Sequence, residues 1–205
     1  MQSPGTLFTV SAPSGAGKTS LVEALAQIDG KVCISISHTT RPMRPAEQDG
    51  VNYHFVAEAA FQEMLARTAF LEHARVYDHF YGTSQDWVEK QLRSGVHVIL
   101  EIDWQGAQQI KRQRPDSVSI FILPPSRAAL QQRLTNRGQD DAAVIAQRMS
   151  QAADEISHYP EADFIVVNDD FEQALIELQC IVDSQGLRTE SQIVRHQGLL
   201  TELLS

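Results

Sequence analysis

The chain has 205 residues, 42% hydrophobic and 21% charged, which fits one compact domain with room for small insertions. Its 17 Lys and Arg against 26 Asp and Glu give a formal charge of −9. That argues against a protein that coats nucleic acid, which needs a basic surface to neutralise phosphates, but not against a small phosphorylated ligand gripped by a few arginines. Cys33 and Cys180 form no C-x-x-C pair and stand among apolar neighbours, so both are expected as small core residues.

Met1 to Val10 lacks a basic start and a long apolar stretch, so it does not read as a signal peptide. The run Val96 to Leu100 is far too short to span a bilayer. A cytoplasmic protein without membrane or nucleic-acid partners is expected.

Leu7 to Ser11 predicts a short buried strand, and Thr19 to Gln27 a helix whose apolar face is set by Leu21, Val22, Leu25 and Ile28. Val32 to Ser37 is again strand-like. His38 to Gly50 is polar and broken by Pro42, Pro45 and Gly50, so it reads as an ordered loop. A short strand over Asn52 to Val56, a helix over Glu58 to Arg67 and an extended stretch over Phe70 to Val76 follow. Ser84 is placed to cap a helix running to Arg93, with Gly95 just beyond its end.

Val96 to Ile102 is the strongest strand signal. It precedes a helix over Gln105 to Arg112, a buried strand over Val118 to Leu123, and helices over Ser126 to Asn136 and Asp141 to Ser157. A last strand, Phe164 to Val167, leads into a helix from Phe171 to Val182. Strands parted by helices of this length imply an α/β fold with a central parallel sheet and right-handed crossovers. The stretches 38–90 and 126–159 read as appendages on a core of 1–37, 91–125 and 160–205, with no linker between independent halves.

The most specific local signal is Ala12-Pro13-Ser14-Gly15-Ala16-Gly17-Lys18-Thr19, which follows a strand and opens a helix, as a P-loop requires. Glycines let the backbone curl so that successive N–H groups face a polyphosphate, and the helix N-terminus adds partial positive charge. Lys18 can reach the β- and γ-phosphates of ATP, and the Thr19 hydroxyl can ligate Mg²⁺. The first position departs from the strict pattern, being Ala12 where glycine is usual.

The apolar strand 98–102 carries Glu101 and, two residues on, Asp103. Side-chain period two puts both on one face, at the strand end where open parallel sheets bind ligands. Asp103 is open to two readings, an acid that orients Mg²⁺ through water or the cap of the next helix.

Together with Ser35-Ile36-Ser37-His38-Thr39-Thr40-Arg41-Pro42-Met43-Arg44, Asn52-Tyr53-His54-Phe55, Phe70-Leu71-Glu72-His73-Ala74, Tyr81-Gly82-Thr83-Ser84 and Val167-Asn168-Asp169-Asp170, these segments give the chain a resemblance to the guanylate kinases along nearly its whole length. The resemblance implies ATP-dependent conversion of GMP to GDP, in the service of purine nucleotide metabolism and GMP recycling. It also implies a P-loop NTPase-type three-layer fold in which 38–90 is a GMP-binding insert and 126–159 a helical lid. Arg41, Arg44, Tyr53 and Tyr81 are then expected at the GMP phosphate, and Glu72, Ser37 and Thr83 at the guanine. Glu101 and Asp103 are expected among the GMP-binding residues as well. Arg133, Arg137 and Arg148 match lid arginines, which with Lys18 and Arg41 act on the phosphates, and Asn168 matches a residue near the adenine of ATP. Ala46, Phe80 and Glu101 stand where the family more often has glycine, tyrosine and aspartate.

Three other readings compete. Asp103-Trp104-Gln105-Gly106 fits the D-x-x-G switch of a GTPase, but no N-K-x-D base-reading motif accompanies it. A kinase for another nucleoside monophosphate lacks a use for Glu72 with Ser37 and Thr83. A guanylate-kinase-like interaction domain has no need of Lys18, Thr19 and the lid arginines.

Overall fold

The computed structural model describes residues 3–76, 78–136 and 142–205. At its centre is β1 (Leu7–Ser11), every residue of which is buried. It lies between β7 (His97–Glu101) and β8 (Val118–Leu123), with β2 (Val32–Ile34) and β9 (Phe164–Val167) outside them, giving the order β2-β7-β1-β8-β9. All four pairings are parallel.

Period two divides the side chains of β1 between two layers. Phe8 and Val10 pack with Ile99, Ile120 and Ile122 against α1 (Lys18–Ile28) and α7 (Phe171–Gln185). Leu7 packs on the opposite face with Val98, Leu100 and residues of α3 (Gln85–Arg93) and α4 (Trp104–Gln113). The result is a helix–sheet–helix sandwich, in which each fully buried Leu, Ile or Phe contributes roughly 1.5–3 kcal/mol. Val88 and Leu92 of α3 belong to this core cluster, so the helix that ends the 38–90 stretch packs on the main sheet.

A second sheet forms entirely from residues 38–84, in the order β4-β3-β6-β5. It comprises β3 (His38–Thr39), β4 (His54–Phe55), β5 (Phe70–Val76) and β6 (His79–Ser84), with α2 (Glu58–Ala66) between β4 and β5. Gln109 of α4 ties it to the core: its Nε2 donates to the His73 carbonyl at 2.9 Å, and its Oε1 accepts from the His73 N–H at 3.3 Å. A register shift between Phe70 and Glu72 sends Leu71 into the core cluster while pairing Glu72 with Thr83. Helices α5 (Arg127–Asn136) and α6 (Ala142–Ser157) pack on each other through Leu130, Leu134, Met149 and Ala152.

The parallel sheet and its helices follow the expected order, with four differences in detail. β2 ends early: after the Ser35 N–H bonds the Ile99 carbonyl at 2.9 Å, the chain leaves for the second sheet. His38–Thr39 forms a strand within the expected loop. His79–Ser84, which has no alternating pattern, is a strand held by partners on both sides. The C-terminal helices α8 (Thr189–Arg195) and α9 (Gln197–Leu203) were not expected and bury no residue. Cys33 packs against the α3/α4 cluster, but Cys180 is exposed, because the inward stripe of α7 is Ala174, Leu178, Ile181 and Val182. Among the described residues, no helix is long and apolar enough to cross a membrane.

Candidate active site

β1 and β7 are hydrogen-bonded neighbours, and Val10 lies opposite Glu101. The loop leaving β1 and the acids leaving β7 therefore meet at one edge of the sheet. They open into a cavity of about 560 Å³ whose other wall is the second sheet.

The loop has the backbone its glycines permit. Gly15 and Gly17 have φ of 91° and 92°, in the left-handed region. A Cβ on Gly15 would crowd Leu130 and Leu134 of α5, and one on Gly17 would sit 2.3 Å from Asn168 Nδ2. Ala12 is not among the positive-φ residues and packs against the core, so the departure from glycine there carries no backbone strain.

Lys18 opens α1 and reaches back across the cavity, donating from Nζ to the Ile102 carbonyl at 3.3 Å. Burial pushes its pKa below the ordinary lysine value, while Glu101, Asp103 and Glu155 pull it back up. Thr19 Oγ1 donates to Glu101 Oε2 at 2.8 Å. Asp103 Oδ1 accepts from the Gly106 N–H at 2.8 Å and so caps α4, yet Asp103 also lines the cavity. The cap reading is the one observed, and since the cap engages Oδ1, Oδ2 is left for other partners.

Glu155, which the sequence did not single out, stands on α6 beside the loop. Its Oε2 accepts the Ser14 N–H at 3.2 Å, and burial pushes its pKa up against the opposing pull of that bond and of Lys18. A carboxylate thus sits on a donor of an anion-binding loop. The two residues are 141 positions apart, and nothing in their local sequences relates them.

At the far end Glu72, 4% exposed, lines the cavity. Thr83 Oγ1 donates to its Oε1 at 2.6 Å, and Ser37 Oγ lies 3.5 Å from the same hydroxyl. Burial pushes the Glu72 carboxyl up to about 7, the Thr83 bond opposing and the Asp103 charge adding. Gly106 leaves room for it, since a Cβ there would come within 3.1 Å of Glu72 Oε2.

Tyr53 and Tyr81 line the wall between these ends, their rings edge-to-face at 5.8 Å. Arg41 stands behind them, 5.5 Å from the Tyr53 ring centre, in a two-pronged pair with Glu47 at 2.7 and 3.0 Å. The exposed Arg44 donates its backbone N–H to Glu47 at 2.8 Å, and its side chain is not part of the wall.

Arg133 and Arg148 line the cavity from α5 and α6. Arg133 also braces the loop, donating to the carbonyls of Ala16 at 3.3 Å and Asn168 at 2.8 Å. Asn168 is buried and donates from Nδ2 to the Ala16 carbonyl at 2.7 Å, holding the loop from behind. Arg137 lies outside the described residues.

A P-loop at the carboxyl edge of a five-stranded parallel sheet, facing a second polar subsite across one cavity, defines a nucleotide-dependent phosphotransferase of the P-loop class. Comparisons with known proteins narrow this. The family model described as guanylate kinase matches residues 5–185. A guanylate kinase of Saccharophagus degradans is 58% identical over 205 residues, covering 100% of both chains. One from Legionella pneumophila is 53% identical, covering 98% of this chain and 96% of its own. The crystal structure of a guanylate kinase from Anaplasma phagocytophilum superposes with a TM-score of 0.77 at 31% identity, covering 92% of this chain and 89% of that one. The chain belongs to the guanylate kinase family.

Proposed function

We infer that the protein transfers the γ-phosphoryl group of ATP to GMP, giving ADP and GDP. The observation that carries this reading is the single cavity with Lys18 and the glycine loop at one end and the buried Glu72–Thr83 pair at the other. One end suits a polyphosphate. The other suits a base edge that donates two hydrogen bonds, as guanine does with N1–H and its 2-amino group.

The acceptor is a phosphate oxygen, already largely ionised near neutral pH because its second pKa is about 6, so no general base is required. The barrier lies in bringing two anions into line. In this reading Lys18, Arg133 and Arg148, joined by Arg137, offset that repulsion and stabilise the charge spread over the transferring group. Arg41, Arg44, Tyr53 and Tyr81 hold the GMP phosphate, and Ser37 and Thr83 fix Glu72 against the base. Arg41 trades its two-pronged bond with Glu47 for the incoming phosphate, or shares its five donors between them. Asn168 supports ATP through the loop it braces.

The Thr19 hydroxyl and the Glu101 and Asp103 carboxylates cluster at the loop, a set of hard oxygen donors that fits Mg²⁺. Thr19 would hold the ion directly and Asp103 through water, and the ion would supply positive charge to offset that of the phosphates. The deciding experiment is a coupled assay with ATP and Mg²⁺ across GMP, AMP, UMP and dTMP. Saturable turnover confined to GMP is expected, and equal use of AMP would overturn the base assignment.

The same reading gives Glu155 a role before ATP arrives. Its carboxylate occupies the Ser14 N–H and repels incoming phosphate. Glu155→Gln keeps an acceptor but removes the charge, so the KM for ATP should fall by about three- to ten-fold, one charged contact at a partly screened site. A raised KM would mean that Glu155 assists ATP instead.

A further inference from the structure

The nucleotide cavity lies between two sheets, so its base end depends on how one sheet is held against the other. Glu72 belongs to β5, the edge strand of the second sheet. The pairing of β5 with β6 slips just before it, between Phe70 and Glu72. A bulge of that kind re-aims a side chain but interrupts the ladder that would hold it. Thr83 grips the Glu72 carboxylate from within the same sheet. Neither contact fixes that carboxylate relative to the phosphate loop.

The connection to the loop runs through α4. Asp103, Gly106 and Gln109 recur at intervals of three and so lie along one side of the helix. Asp103 lines the cavity beside Lys18, and Gly106 stands against Glu72 Oε2. Gln109 takes the next residue of β5 by its backbone: Nε2 donates to the His73 carbonyl at 2.9 Å, and Oε1 accepts the His73 N–H at 3.3 Å. On an edge strand, alternate residues turn both groups away from their neighbour. The glutamine amide completes that outward pair as a further strand would, with a donor and an acceptor set in one plane.

The fold does not require this tie. His73 is exposed and Gln109 half-buried, so water can take over both bonds, and the net worth of such bonds is small. Their geometric effect is larger, because a paired contact to one residue fixes position and orientation together.

We propose that Gln109 is a positioning residue for base selection, which by clamping the His73 backbone sets where the adjoining Glu72 carboxylate stands relative to the phosphate loop. This role rests on the assignment of Glu72 to the guanine edge, and the experiment separates the two.

The full chain is assayed with ATP and Mg²⁺ on GMP and on inosine 5′-monophosphate, which keeps the N1–H and lacks the 2-amino group. The wild type should prefer GMP by about 100-fold in kcat/KM, since a pocket that pairs with an amino group rejects an analogue without one. Gln109→Met keeps the length of the side chain and removes both bonds. It should lower kcat/KM for GMP by about ten-fold, the effect of a slightly misplaced group, and cut the preference by the same factor. The KM for ATP should change by less than about two-fold, and the near-ultraviolet circular dichroism should match the wild type. Gln109→Glu keeps an acceptor for the N–H but turns a second acceptor toward the carbonyl, and should lose preference in the same way. In a Glu72→Gln background, Gln109→Met should alter kcat/KM for GMP by less than about two-fold, because the carboxylate it positions is gone. A preference lost in Glu72→Gln but kept in both Gln109 variants overturns the role of Gln109 alone. A wild type without preference overturns the base assignment, and this role with it. Gln109 variants that fail to fold, that lose GMP and ATP binding equally, or that show their whole loss again in the Glu72→Gln background would make the tie structural and overturn the proposal.

Discussion

Replacing Lys18 by Ala should lower kcat for GMP phosphorylation by about 10³-fold, the loss expected when a preorganised charge is removed from a water-poor phosphoryl-transfer site. The size of the effect follows from the surroundings of the ammonium. It is half-buried, bonded to the Ile102 carbonyl, and faced by Glu101, Asp103 and Glu155. Desolvation already costs it some of its basicity, so it spends little on water and is free to exchange its carbonyl contact for phosphate oxygens. Its loss also leaves the three carboxylates without the ammonium that faces them, so the KM for ATP should rise as well. The fold should persist, because the loop is held independently by Asn168, Arg133 and the packing of Leu130 and Leu134 against Gly15. Steady-state kinetics beside near-ultraviolet circular dichroism separates the two effects. A folded variant with wild-type kcat would remove Lys18 from the chemistry.

This division between loop and brace marks how far the sequence can be read. The phosphate loop is local: eight consecutive residues, a strand before and a helix after, all carry the same signal. The strand at Val98 to Leu100 is legible for the same reason, since burial on both faces leaves an unbroken apolar run. His79–Ser84 is not. Its order of apolar and polar residues fits no strand, and it is extended only because β5 and β3 bond it from either side. Glu155 is illegible in a stronger sense. On α6 it is one glutamate among several polar residues, and only the docking of that helix beside the loop brings it onto Ser14. Asn168 and Arg133 were expected through family likeness at the nucleotide. Their hydrogen bonds run to the backbone of the loop and of its neighbour, contacts that no spacing rule encodes.

The corresponding change at the opposite end of the cavity, Glu72→Gln, should lower kcat/KM for GMP by about 100-fold or more while changing the KM for ATP by less than about two-fold. Two base donors meet a carboxylate with both oxygens available. A glutamine offers them one acceptor and one donor, so one buried pair is left opposed, which is why polar pockets discriminate so strongly. The pH dependence sharpens the test. Burial raises the Glu72 carboxyl to about 7, so in the substrate-free protein folding disfavours its charged form. The resulting destabilisation is absent below the unfolded value of about 4.5, grows between there and 7, and is complete above 7, at roughly 3 kcal/mol. Wild-type Tm should therefore fall relative to Glu72→Gln as pH rises from 5 to 8. GMP favours the ionised carboxylate, so its KM should improve as pH rises through 7 in the wild type. The variant should show only the ionisation of the GMP phosphate, near 6. Matching pH profiles in the two proteins, or equal losses toward GMP and ATP, would take Glu72 out of the base pocket.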